Sequence, residues 1–249
     1  MITRAYIHEY GNGKIEPEQL TVKNVLESRG ISCELFTEKR VHRNQLELDH
    51  STLVVGDNPT IQSVLKRIGY NREFLSYPKS LRQYLYRNVR ETTIANLIAE
   101  SSSTDISNIF IKPRDKSKLF TGFVVNSNND LFNIFHYSKS TRLFVSPIVE
   151  WISEFRVFVN NSNIVGIKNY SGKSDASIDM KLIKRAISDL ENSQESTQGY
   201  SLDFGVLDNG ETALVEWNDG YALGAYGLDE EIYTDLILAR WNEILLECY

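Results

Sequence analysis

A strong hairpin signal near the end of the chain constrains its fold more than any other feature. Residues 200–219 read YSLDFGVLDNGETALVEWND, in which two apolar stretches flank the turn sequence Asp-Asn-Gly at 208–210. Such turn sequences favour a tight connection between antiparallel strands. The hairpin can bring Asp203 on the first strand beside Glu216 on the second. We therefore expect two adjacent antiparallel strands that carry carboxylates at neighbouring positions.

The second strand of this hairpin alternates apolar and polar side chains. Because successive residues of a strand face opposite sides of the sheet, we expect Glu216 and Asn218 on one face. Val215 and Trp217 are expected on the other face, in the core. With Asp203, the polar face would offer three oxygen ligands to a hard divalent cation such as Mg²⁺. The alternative is three polar residues on a solvent-exposed hairpin.

Composition argues against several classes of protein. The 249 residues carry a net charge of −6, so we expect no nucleic-acid partner and no general affinity for anionic membranes. Hydrophobic residues make up 41% of the chain, which is enough for a substantial core. Cys33 and Cys248 show no metal-binding or disulfide spacing, and no apolar run has the length of a membrane span. We expect a soluble protein of the reducing cytoplasm.

The chain divides into an α/β part and an α+β part. Residues 1–80 alternate strands with helices, which predicts a small α/β domain with a parallel sheet. A proline and polar turn residues indicate a boundary near 76–80. Residues 81–249 predict a helix over about 81–100, then mostly strands, including one at 131–138, and a closing amphipathic helix. This second part should be an antiparallel-rich α+β domain.

Lys112 stands at the end of the apolar strand sequence IFIKP and precedes the loop RDKSKLFTG, which contains Lys118. A lysine at the end of a buried strand, followed by a polar loop, suits a phosphate group. The loop lacks the GxxxxGK[ST] pattern of a Walker A motif. The alternative is an ordinary solvated loop with surface lysines.

The segment PIVEWISEFRVFV at 147–159 places Glu154 and Arg156 on one face of a strand. They could form an exposed ion pair of little energetic weight. Alternatively, Arg156 points into a cleft toward an anion and Glu154 fixes it. Pro-Ile-Val-Glu at 147–150 would suit a hinge that offers backbone groups to a flat heteroaromatic ring and a carboxylate to a ribose. Arg87 and Lys168, taken alone, are typical of surface positions.

The order of these motifs resembles that of the ATP-grasp superfamily over essentially the whole chain. The segments YPKSLRQYLYRNV, FIKP, KLFTGFV, SEFRVFV, YSLDFGV, VEWNDGYALGAYGL and ARW resemble the clade with a signature of two arginines and one lysine. The resemblance implies an ATP-grasp fold, with a small N-terminal α/β domain before two α+β subdomains that grip ATP. The loop RDKSKLFTG has a single glycine and is less glycine-rich than in many ligases of the superfamily.

The resemblance also implies roles for individual residues. Lys112 and Arg87 would bind nucleotide phosphates, with Lys118 in the loop that covers them. Arg156 would steady the transferred phosphate or the acyl-phosphate intermediate, and Lys168 is the second catalytic candidate. The candidate residues of the adenine and ribose hinge are Ile148, Val149, Glu150 and Glu154. The positions that match magnesium ligands are Asp203, Glu216 and Asn218.

The reaction implied by the resemblance is ATP-dependent ligation. A small-molecule or peptide carboxylate would attack the γ-phosphate of ATP to give an acyl phosphate, and an amine acceptor would then displace phosphate, with Mg²⁺ as cofactor. Such phosphoryl transfer requires positioning and charge neutralisation more than a protein nucleophile. Two alternatives are an ATP-binding module without ligase activity, regulatory or inactive, and a purely structural protein.

Overall fold

The N-terminal part of the chain forms a parallel sheet covered by helices. The computed structural model describes residues 1–72, 75–115 and 119–249. The first elements are β1 (Arg4–His8), α1 (Pro17–Ser28), β2 (Ser32–Phe36), α2 (Glu38–His42), β3 (Thr52–Val55) and α3 (Asn58–Arg67). The three strands pair in the order β2-β1-β3, all parallel, which confirms the predicted sheet. The sequence does not reveal α2, because five residues carry no recognisable helical period.

Helix α1 ends at Ser28, two residues before a glycine. Its apolar residues Val22, Val25 and Leu26 are buried. Gly30 follows with a φ of +78°, a left-handed conformation that glycine adopts without steric cost. The Ile31 amide then donates to the Leu26 carbonyl at 2.9 Å, so the last turn of the helix keeps a hydrogen-bond partner.

A second sheet follows, and it is antiparallel. It contains β4 (Arg90–Thr93), β5 (Ile109–Pro113), β6 (Phe123–Val125) and β7 (Arg142–Pro147), with α4 (Ile94–Ser101) between the first two strands. The strands pair in the order β4-β7-β5-β6. They share a hydrophobic core with α4 and with a 3₁₀-helix at Asn128–Ile134. β5 is an interior strand, and Lys112 near its end pairs with Phe144 of β7.

The predicted single helix over 81–100 is wrong. The chain forms a 3₁₀-helix at Lys79–Tyr84, then β4, and then α4. From Arg90 to Thr93 the backbone pairs with β7, so sheet hydrogen bonds replace helical ones. The Thr93 hydroxyl then accepts a hydrogen bond from the Asn96 amide at 3.2 Å, which caps α4. Tertiary pairing thus overrides the local helix preference of this segment.

The predicted strand at 131–138 is also wrong. Its first residues belong to the 3₁₀-helix at Asn128–Ile134. Ser127 and Asp130 form a capping box, in which each side chain accepts a hydrogen bond from the other residue's backbone. Leu131 and Ile134 are both fully buried and lie three residues apart, which is a helical spacing.

The third sheet is the largest hydrogen-bonded unit of the molecule. Its strands are β8 (Trp151–Asn160), β9 (Asn163–Gly172), β10 (Gly199–Leu207) and β11 (Thr212–Asp219), and α5 (Met180–Asn192) precedes β10. The four strands pair antiparallel in the order β11-β10-β8-β9. The predicted hairpin is formed, with Gly210 at φ +83° in its turn. The predicted fold class, α/β followed by α+β, is confirmed.

A β-bulge in β11 changes the predicted alternation. Asp203 pairs with Glu216, but the next residue, Phe204, pairs with Leu214, so Val215 is an extra residue on β11. Val215 is half-buried and lines the same cavity as Glu216. The expectation that Val215 lies in the core, on the face opposite Glu216, is therefore wrong.

The chain ends in α6 (Glu230–Cys248), which connects the third sheet to the N-terminal sheet. Arg240 on α6 is fully buried and donates to both carboxylate oxygens of Asp219 at 2.6 and 2.9 Å. The Trp241 indole donates to the Thr52 carbonyl at 2.8 Å. Across the described ranges, no helix combines the length and the apolar character needed to cross a bilayer.

Trp217 occupies the core position that the sequence predicts, with 4% of its surface exposed. We expect Trp217→Ala to lower the free energy of unfolding by about 3–5 kcal/mol, because the change leaves a large cavity beside Tyr200. Leu246→Ala is the control, because that side chain is 83% exposed, and should change stability by less than about 0.5 kcal/mol. Urea unfolding measures both, and equal stabilities would contradict the core position of Trp217.

Candidate active site

Four charged side chains form one row across the third sheet. Lys168 on β9 pairs with Arg156 on β8. Arg156 in turn pairs with Asp203 on β10, and Asp203 pairs with Glu216 on β11. Residues that pair directly across strands point to the same face of a sheet. The predicted proximity of Asp203 and Glu216 is therefore confirmed. We call the four residues the charged row: Lys168, Arg156, Asp203 and Glu216.

Arg156 and Asp203 form a buried bidentate ion pair at the centre of the charged row. Arg156 Nε and Nη2 donate to the two carboxylate oxygens of Asp203 at 2.8 and 2.7 Å. The side chains are 9% and 2% exposed. Burial raises the pKa of Asp203 to about 6, against the opposing effect of Arg156. Burial also disfavours charge on Arg156, but Asp203 outweighs it and raises the pKa of the guanidinium.

Asp203, and not Glu154, fixes Arg156, so both predicted arrangements with Glu154 are wrong. The Glu154 carboxylate accepts a hydrogen bond from the Tyr170 hydroxyl at 2.9 Å. Arg156 is buried, and its guanidinium carbon lies 4.8 Å from the ring centre of Tyr226 and 5.9 Å from that of Tyr170. The two rings stack at 5.0 Å. These contacts hold the guanidinium in one orientation.

Lys112 reaches the charged row from the second sheet. Its Nζ donates to Glu216 Oε2 at 2.8 Å and lies 4.1 Å from the ring centre of Tyr77. Burial opposes charge on Lys112, but Glu216 and Tyr77 outweigh it and raise the lysine pKa. Burial likewise opposes charge on Glu216, and Lys112 outweighs it and lowers the carboxyl pKa. Both groups are therefore charged at neutral pH.

Asn218 extends the oxygen-rich end of the charged row. Its Nδ2 donates to Asp203 Oδ2 at 3.2 Å. Carboxylate and amide oxygens suit a hard cation, so the donor set of Asp203, Glu216 and Asn218 fits Mg²⁺. Within the part of the chain that the structure describes, no group of three or more His, Cys, Asp or Glu residues is arranged to hold a metal. The two carboxylates bind Arg156 and Lys112 instead.

Arg87 binds the carbonyl groups at the bulge in β11. Its Nη1 donates to the Leu214 carbonyl at 2.7 Å, and its Nη2 donates to the Val215 carbonyl at 2.8 Å. The guanidinium carbon lies 5.6 Å from the ring centres of both Tyr77 and Trp151. Arg87 therefore brings a positive charge to this region, while several of its hydrogen-bond donors are already used.

A cavity of about 350 Å³ lies between the second and third sheets, beside the charged row. Its charged end is formed by Lys112, Arg87 and Glu216, and its walls include Phe110 and Trp151. We call it the cationic cavity. One charged end and apolar walls suit a flat ring that carries an anionic group. The predicted site residues that line it are Arg87, Lys112, Ile148, Val149, Glu154 and Glu216.

The sequence motifs do not indicate the aromatic lining of the cationic cavity, which includes Tyr77, Trp151 and Tyr170. Tyr170 lies two residues after Lys168, so the strand period was a signal that could have found it. Trp151 has room because residue 205 is a glycine: a Cβ atom at Gly205 would lie 2.1 Å from the indole. No local pattern indicates that contact.

Other predicted residues lie outside the cationic cavity. Glu150 is exposed and does not line it. Lys168 is half-buried and belongs to the charged row without reaching the cavity. Lys118 lies outside the described residues. Arg156, Asp203 and Asn218 do not line the cavity either. They lie on the third sheet, on the same face as Glu216.

A family model described as an ATP-grasp domain matches residues 84–236, and it represents family 2 of the clade named for two arginines and one lysine. The match spans more than half of the chain and contains the charged row as well as Arg87 and Lys112. Among curated protein sequences, none matches this chain.

Solved structures of ligases have the same fold. D-alanine–D-alanine ligase from Bacillus anthracis superposes with a TM-score of 0.55 at 11% identity, over 100% of this chain and 98% of that one. N5-carboxyaminoimidazole synthetase from Staphylococcus aureus, complexed with ADP, gives 0.58 at 12% identity, over 97% and 78%. The ATP-grasp ligase PsnB, complexed with a minimal precursor, gives 0.55 at 10% identity, over 96% and 99%.

The buried ion pair of the charged row generates a stability prediction. Arg156→Met leaves Asp203 as an unpaired buried carboxylate, so we expect the free energy of unfolding to fall by about 3–5 kcal/mol near neutral pH. Adding Asp203→Asn removes that charge and should recover most of the loss, because the two sites are coupled. Urea unfolding of the single and double variants measures the coupling. Additive losses would contradict the ion pair.

Proposed function

This chain belongs to the ATP-grasp domain family, in family 2 of the clade with two signature arginines and one lysine, and on that basis we propose that it is an ATP-dependent carboxylate–amine ligase. The observation that carries the proposal is that the cationic cavity meets the charged row at Glu216, which belongs to both. The solved structures that share the fold include ligases, and one of the similar structures is a complex with ADP. The substrates in this proposal are ATP, a small-molecule or peptide carboxylate, and an amine acceptor.

The nucleotide base occupies the apolar part of the cationic cavity in this proposal. The Trp151 indole lines that part and offers a flat apolar surface to an adenine ring. The chain at Ile148 and Val149 also lines it, and its backbone groups can hydrogen-bond the edge of the base. The Glu154 carboxylate supplies an acceptor for ribose hydroxyls, with the exposed Glu150 as the second candidate.

The phosphates of ATP lie at the charged end of the cavity. Lys112 binds one carboxylate there, and a phosphate oxygen offers it another anionic acceptor. Arg87 adds positive charge, and Lys118 is the further lysine proposed to cover the phosphates. This region has one more cation than carboxylates, which favours an anionic ligand; the cations are Lys112, Arg87, Arg156 and Lys168, and the carboxylates are Glu154, Asp203 and Glu216.

The proposed reaction has two steps. A carboxylate oxygen attacks the γ-phosphorus of ATP, and the bond to the β–γ bridging oxygen breaks as ADP leaves with the electron pair. The neutral amine nitrogen then attacks the acyl carbon, phosphate leaves with the electron pair of the C–O bond, and the nitrogen loses a proton. Arg156 and Lys168 stabilise negative charge on the transferred phosphate.

Asp203, Glu216 and Asn218 are the residues that would hold Mg²⁺. The ion, when bound, supplies charge neutralisation for phosphate oxygens. The oxygen donors of the three residues suit this hard cation. Asp203 on β10 and Glu216 on β11 lie directly opposite each other. If Lys112 turns toward a phosphate, Glu216 loses its present partner and becomes available as a ligand.

A phosphate-release assay tests the proposed function. Purified protein with ATP and Mg²⁺ is screened against pooled amino acids, short peptides and small amines, and we expect phosphate release only when a carboxylate and an amine are both present. An ATP-dependent thermal shift without turnover in any pool would favour the ATP-binding module. The absence of both a shift and turnover would contradict both functions.

Lys112→Met tests nucleotide binding. We expect ATP binding to weaken by about 1.5–3 kcal/mol, which is the range for a hydrogen bond to a charged group. Lys181→Met on α5 is the matched control, because it removes the same charge from an exposed side chain. Calorimetric titration with ATP measures both variants. Equal affinities would remove Lys112 from the nucleotide site.

Glu216→Gln tests the magnesium site. The variant keeps the shape of the side chain but loses a ligand charge, so half-maximal turnover should require at least about tenfold more Mg²⁺. Glu230→Gln, at an exposed position of α6, is the control and should keep wild-type Mg²⁺ dependence. The measurement is a Mg²⁺ titration of phosphate release, with thermal unfolding to verify the fold. Unchanged Mg²⁺ dependence in Glu216→Gln would show that the ion binds elsewhere.

A further inference from the structure

A second cavity, of about 200 Å³, lies where the N-terminal part of the chain meets the segment after β11. Residues of that segment, 221–224, form one wall, and residues of α1 and the start of α3 form the opposite wall. Gly224 belongs to the wall, and its carbonyl accepts a hydrogen bond from Arg156 Nη1 at 3.4 Å. The wall of this cavity therefore contacts the charged row through Arg156.

The lining of this second cavity is acidic. Glu16, Glu18 and Asp57 line it, and among the described residues no Lys or Arg does. Glu16 precedes α1 but makes no side-chain hydrogen bond to its first turn. His8 lies 3.7 Å from Asp57, but burial lowers the pKa of His8, so the imidazole does not neutralise Asp57 near neutral pH. We call this space the acidic cavity.

Gln19 supplies independent evidence for a ligand. It lines the acidic cavity and is 5% exposed, and its Oε1 has no hydrogen-bond partner among the described residues. The Tyr10 hydroxyl donates its single proton to Asp57 at 3.2 Å. That proton is therefore not available to Gln19, and Gln19 Oε1 remains a buried acceptor without a donor.

Asn58, at the start of α3, is a second residue of the acidic cavity with an unpaired acceptor. Its Oδ1 is buried and has no hydrogen-bond partner within the described ranges. A buried acceptor without a donor costs free energy, so two in one small cavity indicate that a donor-rich ligand completes them. An ammonium group carries three N–H donors and a positive charge, which matches unpaired acceptors and carboxylates together.

We propose that the acidic cavity binds the acceptor of the ligase reaction as a protonated primary amine with no carboxylate next to it. The inference rests on the proposed function, since it names the class of one substrate. A free α-amino acid would place its carboxylate near three carboxylates, with no Lys or Arg among the described lining residues, which is unfavourable. Val55, Leu223 and Ile237 line the same cavity and suit an apolar chain attached to the amine.

The bound ammonium must lose a proton before it reacts. A carboxylate of the acidic cavity accepts that proton and passes it to water, and the neutral nitrogen then attacks the acyl carbon. The wall of the acidic cavity contacts Arg156, the residue proposed to hold the transferred phosphate, so the amine would lie close to the acyl phosphate.

Calorimetry without nucleotide tests the proposal, with probes that differ by one group. Pentylamine is the amine probe, and norleucine is the same molecule with a carboxylate on the carbon that bears the amine. Alanyl-alanine amide presents the same chemistry as a peptide N-terminus and distinguishes a peptide source from a small amine. We expect pentylamine or the peptide amide to bind at least about tenfold more tightly than norleucine, a difference typical of one charged contact.

Two variants locate the amine site. Glu18→Gln should weaken binding of the preferred amine by about tenfold. Gln19→Met removes the unpaired acceptor at nearly constant shape, and should weaken binding similarly while the thermal midpoint stays near that of the wild type. Asp208→Asn makes the same charge change as Glu18→Gln at an exposed turn and should bind the amine as the wild type does.

The outcomes separate this inference from the proposed function. If both cavity variants weaken amine binding but no pool gives phosphate release, the result would support the acidic cavity as an amine site and contradict the ligase function. Phosphate release with amines that is unchanged in both variants would support the ligase and overturn the acidic cavity as the acceptor site. Equal affinity for pentylamine and norleucine would overturn the preference for an amine without a carboxylate.

Discussion

The register of the third sheet is the constraint on which the candidate site depends. It aligns Lys168, Arg156, Asp203 and Glu216 across four strands, so each carboxylate and each cation has a neighbour fixed by backbone hydrogen bonds. A slip of one residue would send these side chains to the opposite face of the sheet. The buried bidentate contact between Arg156 and Asp203 fits only one register, and the long strands supply the hydrogen bonds that hold it.

The bulge at Val215 connects that register to the cationic cavity. An extra residue on β11 interrupts the regular pairing, and the carbonyls of Leu214 and Val215 accept hydrogen bonds from Arg87. Arg87 is thereby fixed next to Trp151, and Val215 itself becomes part of the cavity wall. Bulges often adjust side-chain direction next to functional sites, and here the adjustment brings a guanidinium to the same cavity as Glu216.

The sequence predicts local features of this site well and distant contacts poorly. The turn at 208–210 and the period of the strand are local, and together they place Asp203 beside Glu216 correctly. The pairing of Lys112 with Glu216 joins residues 104 positions apart, so no local pattern indicates it. The helix predicted over 81–100 fails for a related reason: β4 exists only because β7, much later in the chain, provides its partner.

Charge separates the two cavities that flank Arg156. The cationic cavity presents Lys112 and Arg87 together with Glu154 and Glu216, whereas the acidic cavity presents carboxylates and unpaired amide oxygens. A phosphate group would therefore find cationic partners in the cationic cavity, whereas an ammonium group would be favoured in the acidic cavity. Arg156 contacts the wall of the acidic cavity through the Gly224 carbonyl, and its partner Asp203 lies opposite Glu216, which lines the cationic cavity. In the proposed function, the same row of side chains that organises the sheet would stabilise the transferred phosphate, and the Gly224 carbonyl links this row to the cavity proposed for the amine.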